Sequence, residues 1–294
     1  MRLARRFGAA SLAAGIAVLL TGCASQVVDL ITSRAGYSVS KDIAYGPDPR
    51  QTYDLYVPDG ATAATPLVVF IHGGSWDTGS KNIYRFVGQA LTAQGYVVAI
   101  PEYRLYPQVT FPAFVEDAAS AFAAIEDRVQ AGADGLPAGP HPMALMGHSA
   151  GAEIAALLAF DRSYLAAAGS SRERISAFVG LAGPYDFLPL TDERYKRIFP
   201  PALRQRSQPV NYADGNGPPT LLIHGTADTT VAPDNSVSMA RAIERAGGTV
   251  TLRLFDGVDH LGPISAFVTA LPVSDKAIRE TVFTFLQDLS LIHI

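Results

Sequence analysis

Met143-Ala-Leu-Met-Gly-His-Ser-Ala-Gly-Ala-Glu-Ile-Ala-Ala-Leu-Leu158 is the stretch from which the fold is read. A short apolar run ends at Met146, and Gly147-His148-Ser149-Ala150-Gly151 follows. An alanine- and leucine-rich run with helical character comes next. Strand, sharp turn and helix, with a serine at the apex, make a G-x-S-x-G turn that raises one side chain above the edge of a sheet. The chain must pass close to itself on both sides of the apex. Gly147 and Gly151 leave room there because they carry no Cβ.

Outward from this turn, apolar runs alternate with helical segments. Leu67–Ile71, Tyr96–Ile100, Ala177–Ala182 and Thr220–His224 are continuous apolar stretches, the pattern of strands covered on both faces. Val250–Phe255 reads as a further strand. Helices are expected over Ser80–Gln94, Ala113–Gln130, Pro233–Ala246 and Ser274–Leu289. In the second of these, Phe114, Ala118, Phe122 and Ile125 share a face. Asp42–Tyr45 and Gln51–Val57, with Pro47 and Pro49 between them, read as an opening antiparallel pair. The alternation predicts an α/β domain with a mainly parallel central sheet flanked by helices. Ligands in such folds gather at the carboxyl ends of the strands. Residues 183–219 are long, proline-punctuated and mixed in charge, so they are expected to form a small cap or lid.

The N-terminal residues carry a different message. Residues 1–23 hold Arg2, Arg5 and Arg6 and no acid, with an apolar run from Phe7 to Leu20. A basic head, a short apolar stretch and small residues before a cut form a secretory signal, too short for a comfortable membrane span. Leu20-Thr-Gly-Cys23 resembles the bacterial lipobox, and Cys23 is the single cysteine of the chain. The expectation is a signal peptide over 1–23 with Cys23 lipidated, a tether over 24–40 and one domain over 41–290. The resemblance places the protein in a bacterial cell envelope, on the membrane through its N-terminal lipid. Ala24-Ser25 lacks the aspartate that resembles an inner-membrane retention signal, which points to the periplasmic face of the outer membrane. At 294 residues and 48% hydrophobic, the chain can bury one large core. A formal charge of −4 leaves no basic footprint for nucleic acid. One cysteine excludes an intramolecular disulfide and a cysteine-cluster metal site. Neither H-E-x-x-H nor a phosphate-binding G-x-x-x-x-G-K-[ST] occurs, so no metal and no cofactor are expected.

A serine hydroxyl attacks only when a base takes its proton, and a histidine base needs a carboxylate to hold its tautomer. Asp228, in His224-Gly-Thr-Ala-Asp228-Thr-Thr-Val231, lies between a strand and a helix. His260, in Phe255-Asp-Gly-Val-Asp-His260, follows a strand into a glycine-containing loop. The order Ser149, Asp228, His260, each after its own strand, matches one known order of nucleophile, acid and base. His72-Gly-Gly-Ser-Trp76 offers backbone N–H groups behind small residues, as a developing oxyanion requires.

These pieces, with Tyr103-Arg-Leu105, resemble in kind and order the α/β-hydrolase esterases over Gln51 to Leu289. The likeness is to the feruloyl/acetyl-esterase and hormone-sensitive-lipase-like group. It implies the α/β-hydrolase fold, Ser149 as nucleophile, Asp228 as acid and His260 as base. It also implies Gly74, Ser75 and Ala150 as oxyanion-hole donors and a carboxylic ester as substrate; the short loop after Ile71, with no large lid before the sheet, points to a small acyl group of acetyl type. Ser75 stands where lipase-like relatives have a third glycine. Two further likenesses keep an amidase or peptidase of the same fold open. His224 to His260 resembles the catalytic end of prolyl-oligopeptidase-like enzymes, and His-Gly-Gly-x-Trp resembles formamidases. A surface-binding lipoprotein without catalysis is the third reading.

Other polar residues read as structural. His224 ends a strand, His72 braces the loop that follows it, His148 packs beside the serine, and Arg104 ties loops together. Asp186 is a rival for the acid. Asp259 is poorly placed for that role, because adjacent residues point apart. Trp76 reads either as a pocket wall or as loop packing.

Overall fold

The computed structural model describes residues 28–270 and 275–291. Among them, eight strands form one sheet: β1 Tyr37–Ala44, β2 Thr52–Pro58, β3 Leu67–Ile71, β4 Val97–Pro101, β5 Met143–His148, β6 Ile175–Leu181, β7 Thr220–Gly225 and β8 Val250–Phe255. Their spatial order is β1-β2-β4-β3-β5-β6-β7-β8. The β1–β2 and β2–β4 pairs are antiparallel and every later pair is parallel. The helices are α1 Arg85–Thr92, α2 Ala113–Ala131, α3 Ala150–Phe160, α4 Arg162–Ala167, α5 Glu193–Ile198, α6 Asp234–Arg245, α7 Gly262–Ser265 and α8 Lys276–Leu291. This is the α/β-hydrolase arrangement.

Two cores lie on the two faces of the sheet because alternate strand residues point opposite ways. Leu67, Val69 and Ile71 of β3 pack with Phe114, Phe122 and Leu157 of α2 and α3. Val68 and Phe70 of the same strand pack with Val87 and Leu91 of α1, in the cluster that also holds Ile278 and Val282 of α8. Every residue of α3 is buried, which its small alanines permit by letting the helix lie close against the sheet.

The sheet begins earlier than the boundary expected at residue 41. Tyr37 to Ser40, assigned to the tether, pair with Pro58 to Leu55 as part of β1. The strand hid in the sequence because polar Lys41 and Asp42, at the register shift between Ser40 and Ile43, interrupt the alternation of Tyr37, Val39, Ile43 and Tyr45. The helix expected over Ser80–Gln94 is a 3₁₀ turn, Lys81–Tyr84, running into α1. Lys81 is 2% exposed, and its Nζ lies 2.6 Å from both Asp42 and Asp54. Paired charges can be buried where a lone one cannot. The proposed leader, including Cys23, lies outside the described residues.

Residues 183–219 are more ordered than an irregular loop. They contain α5 and two 3₁₀ turns, Pro201–Ser207 and Pro209–Tyr212. Proline at the start of each turn supplies a preset φ and lacks an N–H that would go unbonded there. Asp192 caps α5 by accepting the Arg194 amide at 2.7 Å. Ile198 and Phe199 are fully buried in the core shared with Phe111 and Phe114. The segment is therefore anchored by its own apolar side chains.

Candidate active site

Parallel register aligns the carboxyl ends of the central strands. Ile71 pairs with Gly147, His148 with Leu181, and Gly225 with Phe255. The loops that follow β3, β5, β7 and β8 thus emerge along one rim. The ladder continues into them through Ser149 N–H to Leu181 O at 2.9 Å and Thr226 N–H to Phe255 O at 2.9 Å.

Ser149 sits between β5 and α3 with φ 54° and ψ −124°. A non-glycine residue in that region is strained, and the surroundings must hold it there. They do so by close contact. A Cβ on Gly147 would lie 2.3 Å from Gly151 O, and one on Gly151 would lie 2.1 Å from Ile71 O. Neither position tolerates a side chain, which is the spatial content of the two glycines in the motif.

His260 Nε2 lies 2.9 Å from Ser149 Oγ, and His260 Nδ1 lies 2.7 Å from Asp228 Oδ2. The serine, imidazole and carboxylate, 111 and 32 residues apart in sequence, form one hydrogen-bonded line. Asp228 Oδ1 accepts the amides of Thr230 at 2.8 Å and Val231 at 2.9 Å. Oδ2 also lies 3.1 Å from His224 Nε2. His224 Nε2 is 2.9 Å from the Val231 carbonyl, so it carries a proton, and its Nδ1 accepts from Ser236 Oγ at 2.7 Å. Burial pushes the Asp228 carboxyl up. The bonds from His224, His260 and the Val231 amide outweigh it and hold the group well below the usual carboxylate range. Asp228 is thus a saturated, ionised acceptor that keeps the His260 proton on Nδ1 and leaves Nε2 free to accept from Ser149.

Facing Ser149 is a cavity of about 170 Å³. Its walls include Trp76 and Ser75 on one side, Phe187, Leu190 and Tyr195 of the 183–219 segment, and Val231. Gly74, Ser75 and Trp76 have φ of 133°, 52° and 62°. The amides of Gly74, Ser75 and Ala150 have no backbone acceptor among the described residues. Ala150 also opens α3, whose N-terminal dipole favours negative charge. Donors without partners beside a serine hydroxyl are what a tetrahedral oxyanion would need.

The remaining histidines and acids divide by geometry. His72 donates from Nδ1 to Gly73 O at 2.8 Å and stacks on Tyr103 at 4.5 Å between ring centroids. Burial lowers its pKa, so it braces the loop as a neutral ring. Tyr103 adds a bond from its hydroxyl to His72 O at 2.8 Å. Arg104 binds both oxygens of buried Asp117, tying its loop to α2. Asp186 accepts from Ser238 Oγ at 2.5 Å, and the carboxylate on His260 is that of Asp228. Asp259 accepts the amides of Leu261 and Gly262 and so caps the turn into α7. His224 is more than a strand-end residue, because it shares Asp228 with His260. Trp76 both walls the cavity and packs the loop. It meets Phe199 edge-on at 4.8 Å and Tyr195 at 5.7 Å.

Two residues escaped the sequence reading. Glu153, fully buried on α3, accepts from Trp76 Nε1 at 3.1 Å. Burial raises its pKa well above the usual value against the opposing Trp76 bond, so it is held as the neutral acid. A lone acid in an alanine-rich helix was the available signal. Arg194 of α5 binds both carboxylate oxygens of Asp77, two residues beyond Ser75. It joins the 183–219 segment to the loop after β3.

The family model BD-FAE matches residues 53–243, from β2 into α6. The chain belongs to the BD-FAE family. It is 31% identical over 246 residues to a probable isoprenylcysteine alpha-carbonyl methylesterase of Arabidopsis thaliana, covering 76% of this chain and 51% of that protein. It is 29% identical over 238 residues to esterase LipC of Mycobacterium tuberculosis, covering 71% of this chain and 57% of that one. This BD-FAE chain thus spans about half the length of the curated relatives it matches. In three dimensions it resembles tributyrin phosphonate-inhibited esterase B of Lactobacillus Rhamnosis. The TM-score is 0.76 at 22% identity, covering 97% of each chain, a likeness of fold.

Proposed function

We propose that this BD-FAE protein is a serine carboxylesterase that hydrolyses small carboxylic esters through an acyl-enzyme. The observation that carries the reading is His260, 2.9 Å from Ser149 Oγ and 2.7 Å from Asp228, beside a cavity with unpartnered backbone amides. In this reading His260 Nε2 takes the Ser149 proton as Oγ attacks the ester carbonyl. The amides of Gly74, Ser75 and Ala150 receive the oxyanion. His260 returns the proton to the departing alcohol, and water then repeats the sequence and releases the acid. The cavity of about 170 Å³ favours a short acyl chain, and its apolar walls supply contact area without charge recognition. The names of the curated relatives, a methylesterase and an esterase, support an ester substrate.

Purified residues 24–294 are expected to hydrolyse p-nitrophenyl acetate, with turnover falling as the acyl chain lengthens. Ser149→Ala should remove nearly all of that turnover. Equal turnover in the variant would exclude Ser149 as nucleophile. A wild-type preference for the matched anilide would favour an amidase, and no turnover on either would favour a binding module. The leader and Leu20-Thr-Gly-Cys23 support a lipid-anchored protein of the cell envelope, on the periplasmic face of the outer membrane. Mass spectrometry of the mature N-terminus tests this, and an unmodified Cys23 would overturn it.

A further inference from the structure

His148 ends β5, immediately before Ser149, and is 3% exposed. Its Nε2 lies 3.1 Å from the main-chain oxygen of His260. A carbonyl only accepts, so the His148 proton is on Nε2 and Nδ1 is a bare lone pair. That Nδ1 is buried with no hydrogen-bond partner. A Cβ on Gly73 would come within 3.2 Å of it and within 3.2 Å of Ser149 Cβ. On its other side the ring faces the His260 ring at 5.1 Å between centroids, tilted by 40°. One imidazole thus touches the nucleophile's turn, the loop after β3 and the loop that carries the base.

The loop carrying the base has other ties, and they lead elsewhere. Ala227 N–H bonds to Val258 O at 3.0 Å, Thr226 Oγ1 to Asp256 at 3.0 Å, and Gly257 N–H to Thr226 Oγ1 at 2.9 Å. All three secure it to the loop after β7. The bond between His260 and Ser149 changes each time the proton moves, so it does not hold the two loops at a constant separation. The His148 bond to the His260 main chain takes no part in the proton transfer and persists through it.

We propose that His148 is a positioning residue whose Nε2–H clamps the His260 main chain to the nucleophile's turn, keeping base and serine in register through the reaction. The proposal rests on the reading of Ser149 and His260 as nucleophile and base. Its electrostatics are consistent. Burial first, and then the facing His260, pull the His148 pKa down to about 3; His224 pulls the same way, while the His260 carbonyl and Asp228 oppose. A neutral ring leaves His260 free to become cationic, whereas a second cation there would oppose its protonation.

Two variants separate the hydrogen bond from the packing. His148→Gln keeps an N–H donor near the Nε2 position, and His148→Met keeps bulk without a donor. His148→Met should lower kcat on the order of 10- to 100-fold, the scale of a small misplacement of reacting groups. Its KM should stay within about twofold, because the loss falls on the transition state. His148→Gln should recover most of that loss. Full kcat in the Met variant, or equal losses in both, would overturn the clamp. The esterase reading fails separately, through an inactive wild-type protein. In that event ¹⁵N NMR of the wild-type imidazoles still decides about His148. A neutral, Nε2-protonated ring at pH 6 is the expected result, and an Nδ1-protonated or cationic ring would refute the proposal, as it would if the Met variant failed to fold.

Discussion

Asp228→Asn changes one atom and reverses the hydrogen-bond logic of the site. The carboxylate receives four N–H groups: His260 Nδ1 at 2.7 Å, His224 Nε2 at 3.1 Å, and the amides of Thr230 and Val231 at 2.8 and 2.9 Å. An asparagine has one oxygen to offer and an NH₂ that only donates. The two backbone amides cannot turn away, so the oxygen faces them and the NH₂ faces His260. His260 must then accept through Nδ1 and carry its proton on Nε2, pointed at Ser149 Oγ from 2.9 Å. The base is lost without any change of shape. The same substitution in a Ser-His-Asp protease lowers kcat roughly 10⁴-fold, or about 5.4 kcal/mol in the barrier. A fall of that order is expected here in kcat for p-nitrophenyl acetate, with KM changed only a few-fold. Circular dichroism should show an intact fold, and the unpaired polar groups should destabilise it by about 1–3 kcal/mol. The acid side gives a second readout. The folded-state pKa of Asp228 lies below the unfolded value of about 3.9. Its contribution to stability is therefore full above about pH 5 and is lost as pH falls through and below about 4. The gap in melting temperature between wild type and Asp228→Asn should close on acidification. A variant that keeps more than about a tenth of wild-type kcat would refute the tautomer argument drawn from the triad.

Glu153→Gln replaces a buried neutral acid by its near-isostere. The folded-state pKa is raised, so the contribution of Glu153 to stability is full below the unfolded value of about 4.3 and is lost as pH rises toward the folded value. The melting temperature of the variant relative to wild type should climb as pH rises above the unfolded value, and a pH-independent difference would contradict a protonated Glu153. Gly74→Ala should lower kcat on the order of 10²–10³-fold by displacing oxyanion donors. Gly74 has φ 133°, and an added Cβ would lie 2.2 Å from Thr78 O, so the loop must move. Wild-type kcat in that variant would remove the loop after β3 from the reaction.

The amino-acid order by itself determined the sheet-and-helix alternation, because continuous apolar runs and helical spacing are local records of which face is buried. It also determined the sharp turn at Ser149, since Gly147 and Gly151 stand where backbone meets backbone, and the order Ser149, Asp228, His260, each after its own strand. Strand β1 was half legible, because the polar pair Lys41-Asp42 at its bulge interrupts the alternation that marks a strand. Only the tertiary structure decided how those residues are held. His224 shares Asp228, Glu153 sits under Trp76, Arg194 reaches Asp77, and His148 reaches the His260 main chain. Three of these four bonds join residues 77 or more apart in sequence. No local period or spacing encodes such a bond. It exists because the parallel register of β3, β5, β6, β7 and β8 brings their loops to one rim, where each buried polar group must find its partner.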